Sequence, residues 1–153
     1  MRALVLLAAV GLSLAACSPG APKGIDKAAL DAAVNERVGD PGTCVLIGET
    51  GSGEVVYRFG SNVTCGRVLP ACNGATRTVD ALLKVTAKSR APANISCDSS
   101  PDGARTVAWA AGGVETHDEL VYAAAMEGDK TPPGVVIADK LAAAFAAAGL
   151  IKK

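Results

Sequence analysis

Apolar residues beyond the first 24 positions fall into short blocks with two kinds of spacing. Ile25–Val38 carries apolar side chains at helical intervals, with Asp26 placed to cap its first turn. Thr78–Lys88 and Val136–Ala148 show the same interval, and Gly149 is suited to end the last block. We therefore predict three helices.

Other apolar blocks alternate or are too short for helices. Thr43–Glu49 and Glu54–Phe59 flank the glycine-containing connection Thr50–Gly53, a pattern typical of a hairpin. The pair Gly112-Gly113 is expected to end a later strand. In the segment Leu120–Glu127 the alanines favour a helix, but a strand at this point completes a meander. Three further strands are thus predicted, over Asn94–Asp98, Arg105–Ala111 and Leu120–Glu127.

The order α-β-β-α-β-β-β-α predicts an α+β domain with an antiparallel sheet of about five strands and helices packed on it. Gly60–Ala75 is expected to be irregular. The order is similar to the α/β half of serine β-lactamases and penicillin-binding proteins. There an N-terminal helix leads into a hairpin like CVLIGETGSGEVVYRFG, and three strands and a C-terminal helix close the domain. It is equally similar to profilin-like and roadblock-like domains.

The β-lactamase resemblance implies a Ser-x-x-Lys motif, whose serine attacks the carbonyl and whose lysine helps to activate it. No serine of this chain has a lysine three residues on, and the segment Pro70–Arg77 after the hairpin lacks the motif. Lys130-Thr131-Pro132 resembles Lys-Thr-Gly but precedes the last helix. No catalytic residue is therefore assigned. A degenerate or unrecognised serine-hydrolase-like enzyme is kept as the alternative function.

The first seventeen residues, MRALVLLAAVGLSLAAC, form a separate apolar pattern. Arg2 precedes the apolar run Ala3–Leu14, which is shorter than the ~20 residues that a membrane-spanning helix needs. The ending Leu14-Ala15-Ala16-Cys17 resembles the lipobox of bacterial lipoproteins. That resemblance implies removal of residues 1–16 and lipidation of the Cys17 thiol. An ordinary signal peptide with an incidental cysteine is the alternative.

Residues after the lipobox indicate where the chain would be held. Residues 17–23 contain Pro, Gly and Ser and are expected to be a lipidated tether to one domain, residues 24–153. In Gram-negative lipoproteins an Asp after the lipidated cysteine favours the inner membrane, whereas Ser18 favours the outer membrane. The expected location is the bacterial cell envelope, lipid-anchored and facing the periplasm.

Four cysteines remain after Cys17, and an even number in an exported domain indicates two disulfides. Three pairings are possible. A local Cys65–Cys72 bond with a long-range Cys44–Cys97 bond is weakly favoured. Zinc binding is not expected, because the cysteines lack the closely spaced pairs of such sites.

Charge and the remaining motifs narrow the function classes. The chain has 15 basic and 15 acidic residues without a basic patch, so nucleic-acid binding is not expected. His117, the single histidine, is expected in a polar loop rather than in a metal or catalytic site. No cofactor motif is present, and the arginines are dispersed. We expect a non-enzymatic envelope lipoprotein whose domain binds a protein partner or a small ligand near the membrane.

Overall fold

A computed structural model describes residues 19–152 of the chain. The predicted signal peptide, residues 1–16, and the predicted lipidation site Cys17 lie outside the described residues. Four helices lie in this part of the chain, α1 Lys27–Val38, α2 Asn62–Cys65, α3 Val79–Ser89 and α4 Gly134–Ala147. Seven strands accompany them, β1 Thr43–Glu49, β2 Val55–Phe59, β3 Leu69–Pro70, β4 Thr76–Arg77, β5 Ile95–Asp98, β6 Thr106–Val114 and β7 His117–Gly128.

Five of the strands form one antiparallel sheet in the order β2-β1-β7-β6-β5, and β3 pairs with β4 in a small hairpin. The predicted α+β class and five-stranded sheet are confirmed. Strand β7 pairs with β1, so the N-terminal hairpin joins the C-terminal meander in a single sheet. None of the helices in residues 19–152 is long and apolar enough to cross a membrane.

Both faces of the sheet are buried. Helices α1 and α4 pack on one face, around Tyr57, Ala110 and Phe145. Helix α3 packs on the other face, with Trp109 and Ala123. The alanine run of β7 is therefore a central strand covered on both sides, since small side chains let the helices approach closely. This explains how a segment with helical composition forms a strand.

The ends of α1 and α4 follow the sequence prediction. The Asp26 side chain accepts a hydrogen bond from the backbone N–H of Ala29 at 2.8 Å and caps α1. Gly149, just beyond α4, has a φ of +76°, the left-handed conformation that ends helices. These ends depend on local side-chain chemistry, which a sequence displays directly.

The predicted disulfide pairing is wrong. The bonds are Cys44–Cys65 and Cys72–Cys97. The segment predicted to be irregular contains α2 and the β3–β4 hairpin. Helix α2 carries Cys65 back to β1, and the hairpin crosses the sheet to the edge strand β5. Trp109 Nε1 donates to the Pro70 carbonyl at 2.8 Å, which holds this hairpin over the sheet.

Two strand boundaries also differ from the prediction. Gly112 and Gly113 do not end β6, which continues to Val114. The position of a Cβ at Gly113 would lie 2.5 Å from a guanidinium nitrogen of Arg90, so the missing side chain makes room for that group. His117 begins β7 instead of lying in a loop. The glycines thus serve packing rather than strand termination.

Candidate functional site

A cleft of about 510 Å³ lies where β1 and β2 meet the start of β7. One wall is the segment Ala21–Lys23, which precedes α1, and we call this cavity the tether cleft. The opposite lining includes Glu49 at the end of β1, Val56 of β2, and His117 and Glu119 of β7. Charged and apolar side chains thus meet in one recess, the usual composition of a small-ligand site.

The tether wall is fixed to the domain. Pro22 is buried, and its carbonyl accepts a hydrogen bond from the backbone N–H of Ile25 at 3.0 Å. Ile25 itself packs against the core between the sheet and helices α1 and α4. Pro22 and Ile25 thus hold this segment against the rest of the structure.

Arg90 forms hydrogen bonds with two residues that line the tether cleft, Thr50 and Leu120. It follows α3 with a φ of +55°, and its Nη1 donates to the Thr50 hydroxyl at 3.0 Å and to the Leu120 carbonyl at 2.9 Å. The Thr50 hydroxyl in turn donates to the Asp118 carbonyl at 2.8 Å. One guanidinium therefore fixes the turn after β1 against the beginning of β7.

His117 is held at both ring nitrogens. Nδ1 lies 2.7 Å from a Glu119 carboxylate oxygen, and Nε2 lies 2.6 Å from the Leu150 carbonyl oxygen. Glu119 of the same strand and Leu150 near the end of the chain thus fix the orientation of the ring. The bond from His117 lowers the pKa of Glu119, with smaller contributions from a backbone hydrogen bond and from the charges of His117 and Arg90.

The structure therefore brings His117 into the tether cleft, where its ring contacts the Glu119 carboxylate. The sequence shows the neighbouring Glu119, but it does not show that Leu150 from the far end of the chain meets the ring. Glu49 and Lys23 were not singled out from the sequence. They line the same cleft because the segment before α1 lies against the ends of the strands, and the sequence contains no signal for this arrangement.

A second charged region lies at the opposite end of the sheet. The Glu127 side chain is 3% exposed and makes ion pairs of 2.7 Å with Arg105 and 2.8 Å with Arg67. The Ser99 hydroxyl donates to its other oxygen at 2.8 Å. These contacts, led by the Arg105 hydrogen bonds, lower the pKa of Glu127 to about 2. Two of the dispersed arginines thus converge on a buried carboxylate, which neutralises part of their charge.

The cysteines occupy structural positions. All four predicted candidates, Cys44, Cys65, Cys72 and Cys97, are in disulfides. Within residues 19–152, no three or more His, Cys, Asp or Glu side chains are grouped to hold a metal ion. The tether cleft brings charged side chains of different elements together around an apolar floor.

Comparisons of the chain with protein-family models, with curated proteins and with solved structures found no match.

Proposed function

We propose that this chain is a lipid-anchored protein of the bacterial cell envelope whose α+β domain binds a small polar ligand in the tether cleft. The lipobox-like ending at Cys17 supports the anchor, and Ser18 supports the outer membrane. The observation that carries the binding role is the cleft itself. It joins an apolar floor to charged groups from three separate parts of the chain.

The anchor and the cleft are close along the chain. Four residues separate Cys17 from Pro22, and this connection of five steps spans at most about 18 Å when fully extended. Pro22 is buried in the domain, so a lipid on Cys17 would hold the cleft near the membrane surface. Several acyl chains, as in bacterial lipoproteins, give lasting attachment. The domain would thus bind its ligand close to the membrane surface rather than elsewhere in the periplasm.

Anchoring is tested by metabolic labelling with a palmitate analogue and by membrane fractionation. We expect Cys17→Ser to lose the label and the signal-peptide cleavage that depends on it. Ser18→Asp should keep the label but move the protein to the inner membrane of a Gram-negative host. Unchanged processing and fractionation of Cys17→Ser would show that the lipobox interpretation is wrong.

Ligand binding is tested separately by thermal unfolding of the purified full-length mature protein. The panel contains amino acids, sugars, nucleosides and phosphate esters. At least one class should raise the midpoint temperature, because a ligand that binds the folded state stabilises it. Val56→Trp, which fills the cleft, should abolish the shift. Val63→Trp, at a position 80% exposed outside the cleft, should preserve it. If no class shifts the wild-type midpoint, the binding proposal fails.

A further inference from the structure

The charges of the tether cleft fall into two groups. The Glu119 carboxylate already has a partner within the protein, because it lies 2.7 Å from Nδ1 of His117. Lys23 and Glu49 remain. Among residues 19–152 neither of them takes part in an ion pair. Both are exposed, and the contact of Glu49 with the Ser52 hydroxyl is long, at 3.5 Å.

Lys23 and Glu49 come from different walls of the tether cleft. Lys23 stands on the segment before α1, and Glu49 ends β1. Within residues 19–152 they form no ion pair with each other, while Val56 and the buried Leu120 contribute apolar surface to the same recess. One free positive charge and one free negative charge therefore flank an apolar floor.

From this arrangement we propose that the tether cleft binds a small zwitterion. Its ammonium group pairs with Glu49, and its carboxylate or phosphate pairs with Lys23. A ligand with a single positive charge meets repulsion from Lys23, and one with a single negative charge meets repulsion from Glu49. A zwitterion gains from both groups. This inference rests on the proposed function and specifies its ligand class.

Two sources can supply such a zwitterion. Free amino acids carry an ammonium and a carboxylate, and ethanolamine phospholipids carry an ammonium and a phosphate in their headgroups. The short connection from Cys17 to Pro22 brings lipid headgroups within reach of the cleft. Because exposed ion pairs contribute little each, we expect a dissociation constant of about 1 mM for a soluble probe.

The test is an NMR titration of the full-length mature protein, purified in an uncharged detergent. The backbone amides of Thr50 and Glu119 report on the cleft. The zwitterionic probes are glycine and O-phosphoethanolamine, and the single-charge probes are ethylamine and acetate. We expect at least one zwitterion to bind up to about fivefold more tightly than either single-charge probe, since one exposed ion pair contributes no more than that.

Charge-neutral variants identify the groups involved. Lys23→Gln and Glu49→Gln should each weaken zwitterion binding about twofold to fivefold, as expected for the loss of one exposed charge pair. Lys88→Gln on α3 and Glu36→Gln on α1 remove exposed charges elsewhere and should leave binding unchanged. Equal binding of single-charge probes, or unchanged binding in both cleft variants, would overturn the inference.

Nanodiscs distinguish the two sources. In phosphatidylethanolamine discs a bound headgroup should block the glycine-induced shift of the Thr50 amide, whereas phosphatidylglycerol discs should permit it. A glycine shift of equal size in both discs assigns the site to soluble zwitterions. Anchoring is measured independently by fractionation. If a sugar or nucleoside stabilises the protein while no zwitterion binds, this inference fails and the proposed binding role stands.

Discussion

The Glu127 cluster allows a quantitative prediction about stability and pH. Glu127→Gln keeps the size and one acceptor oxygen of the side chain but removes its negative charge. The wild-type carboxylate is almost fully buried and receives hydrogen bonds from Arg105, Arg67 and Ser99. Removing its charge leaves two arginines without their shared partner, so the folded state should be destabilised.

The magnitude follows from the pKa. A fall from the usual 4.5 to about 2 corresponds to about 3 kcal/mol of preferential stabilisation of the ionised, folded form. The side chains of Arg105 and Arg67 are 46% and 40% exposed, so solvent screens part of this interaction. We expect a loss of about 2 kcal/mol at pH 7. That loss equals a shift of about 1 M in the urea midpoint.

Because the folded pKa of Glu127 lies below its unfolded value, its stabilisation is fully present above about pH 4.5. It is lost as the pH falls towards 2. Urea unfolding of wild type and Glu127→Gln at pH 7 and pH 2.5 should therefore give a difference that shrinks at the lower pH. Glu36→Gln, an exposed charge on α1, should show little difference at either pH. An equal difference at both pH values would refute the assigned cause.

Further variants test a close backbone approach, a hydrogen bond and a disulfide. Gly134→Ala would place a Cβ 2.2 Å from a backbone carbonyl oxygen of β6, so it should lower the free energy of unfolding in urea by about 3 kcal/mol. Gly128→Ala is the control, because the nearest atom to its Cβ would lie 3.9 Å away, and it should change this free energy by less than about 1 kcal/mol. Tyr57→Phe removes a hydrogen bond of 2.9 Å to an aspartate of α1 and should cost about 1 kcal/mol; an unchanged midpoint would show that this bond adds nothing. Replacing Cys72 and Cys97 together by Ala should lower stability by about 3 kcal/mol without changing the circular dichroism, and a loss of the folded spectrum would show that the bond is needed for the fold itself.

Local signals in the sequence were enough to predict most of the fold. The cap at Asp26 and the tight connection between β1 and β2 depend on residues within a few positions of each other, so the first helix and the hairpin could be predicted. Strand β7 was harder because alanine favours helix in isolation. Its burial between helices on both faces decided the outcome, and that burial is a tertiary property.

Features that depend on segments far apart in the chain could not be predicted from the sequence. The disulfide pairing required the path of α2 and the β3–β4 hairpin over the sheet, both short elements with weak patterns. The tether cleft required Lys23, Glu49 and His117 to converge from positions far apart in the chain. Spacing along a sequence does not report such convergence, whereas it does report the period of a helix or strand.

The disulfide connectivity has a consequence for oxidative folding. Cys44 pairs with Cys65 before Cys72 appears in the chain, and Cys72 then pairs with Cys97, so consecutive cysteines are partners throughout the domain. A chain that enters an oxidising compartment from its N-terminus can therefore close each bond in order of emergence. An oxidase that joins cysteines as they arrive produces the native set directly, and no later reshuffling by an isomerase is required.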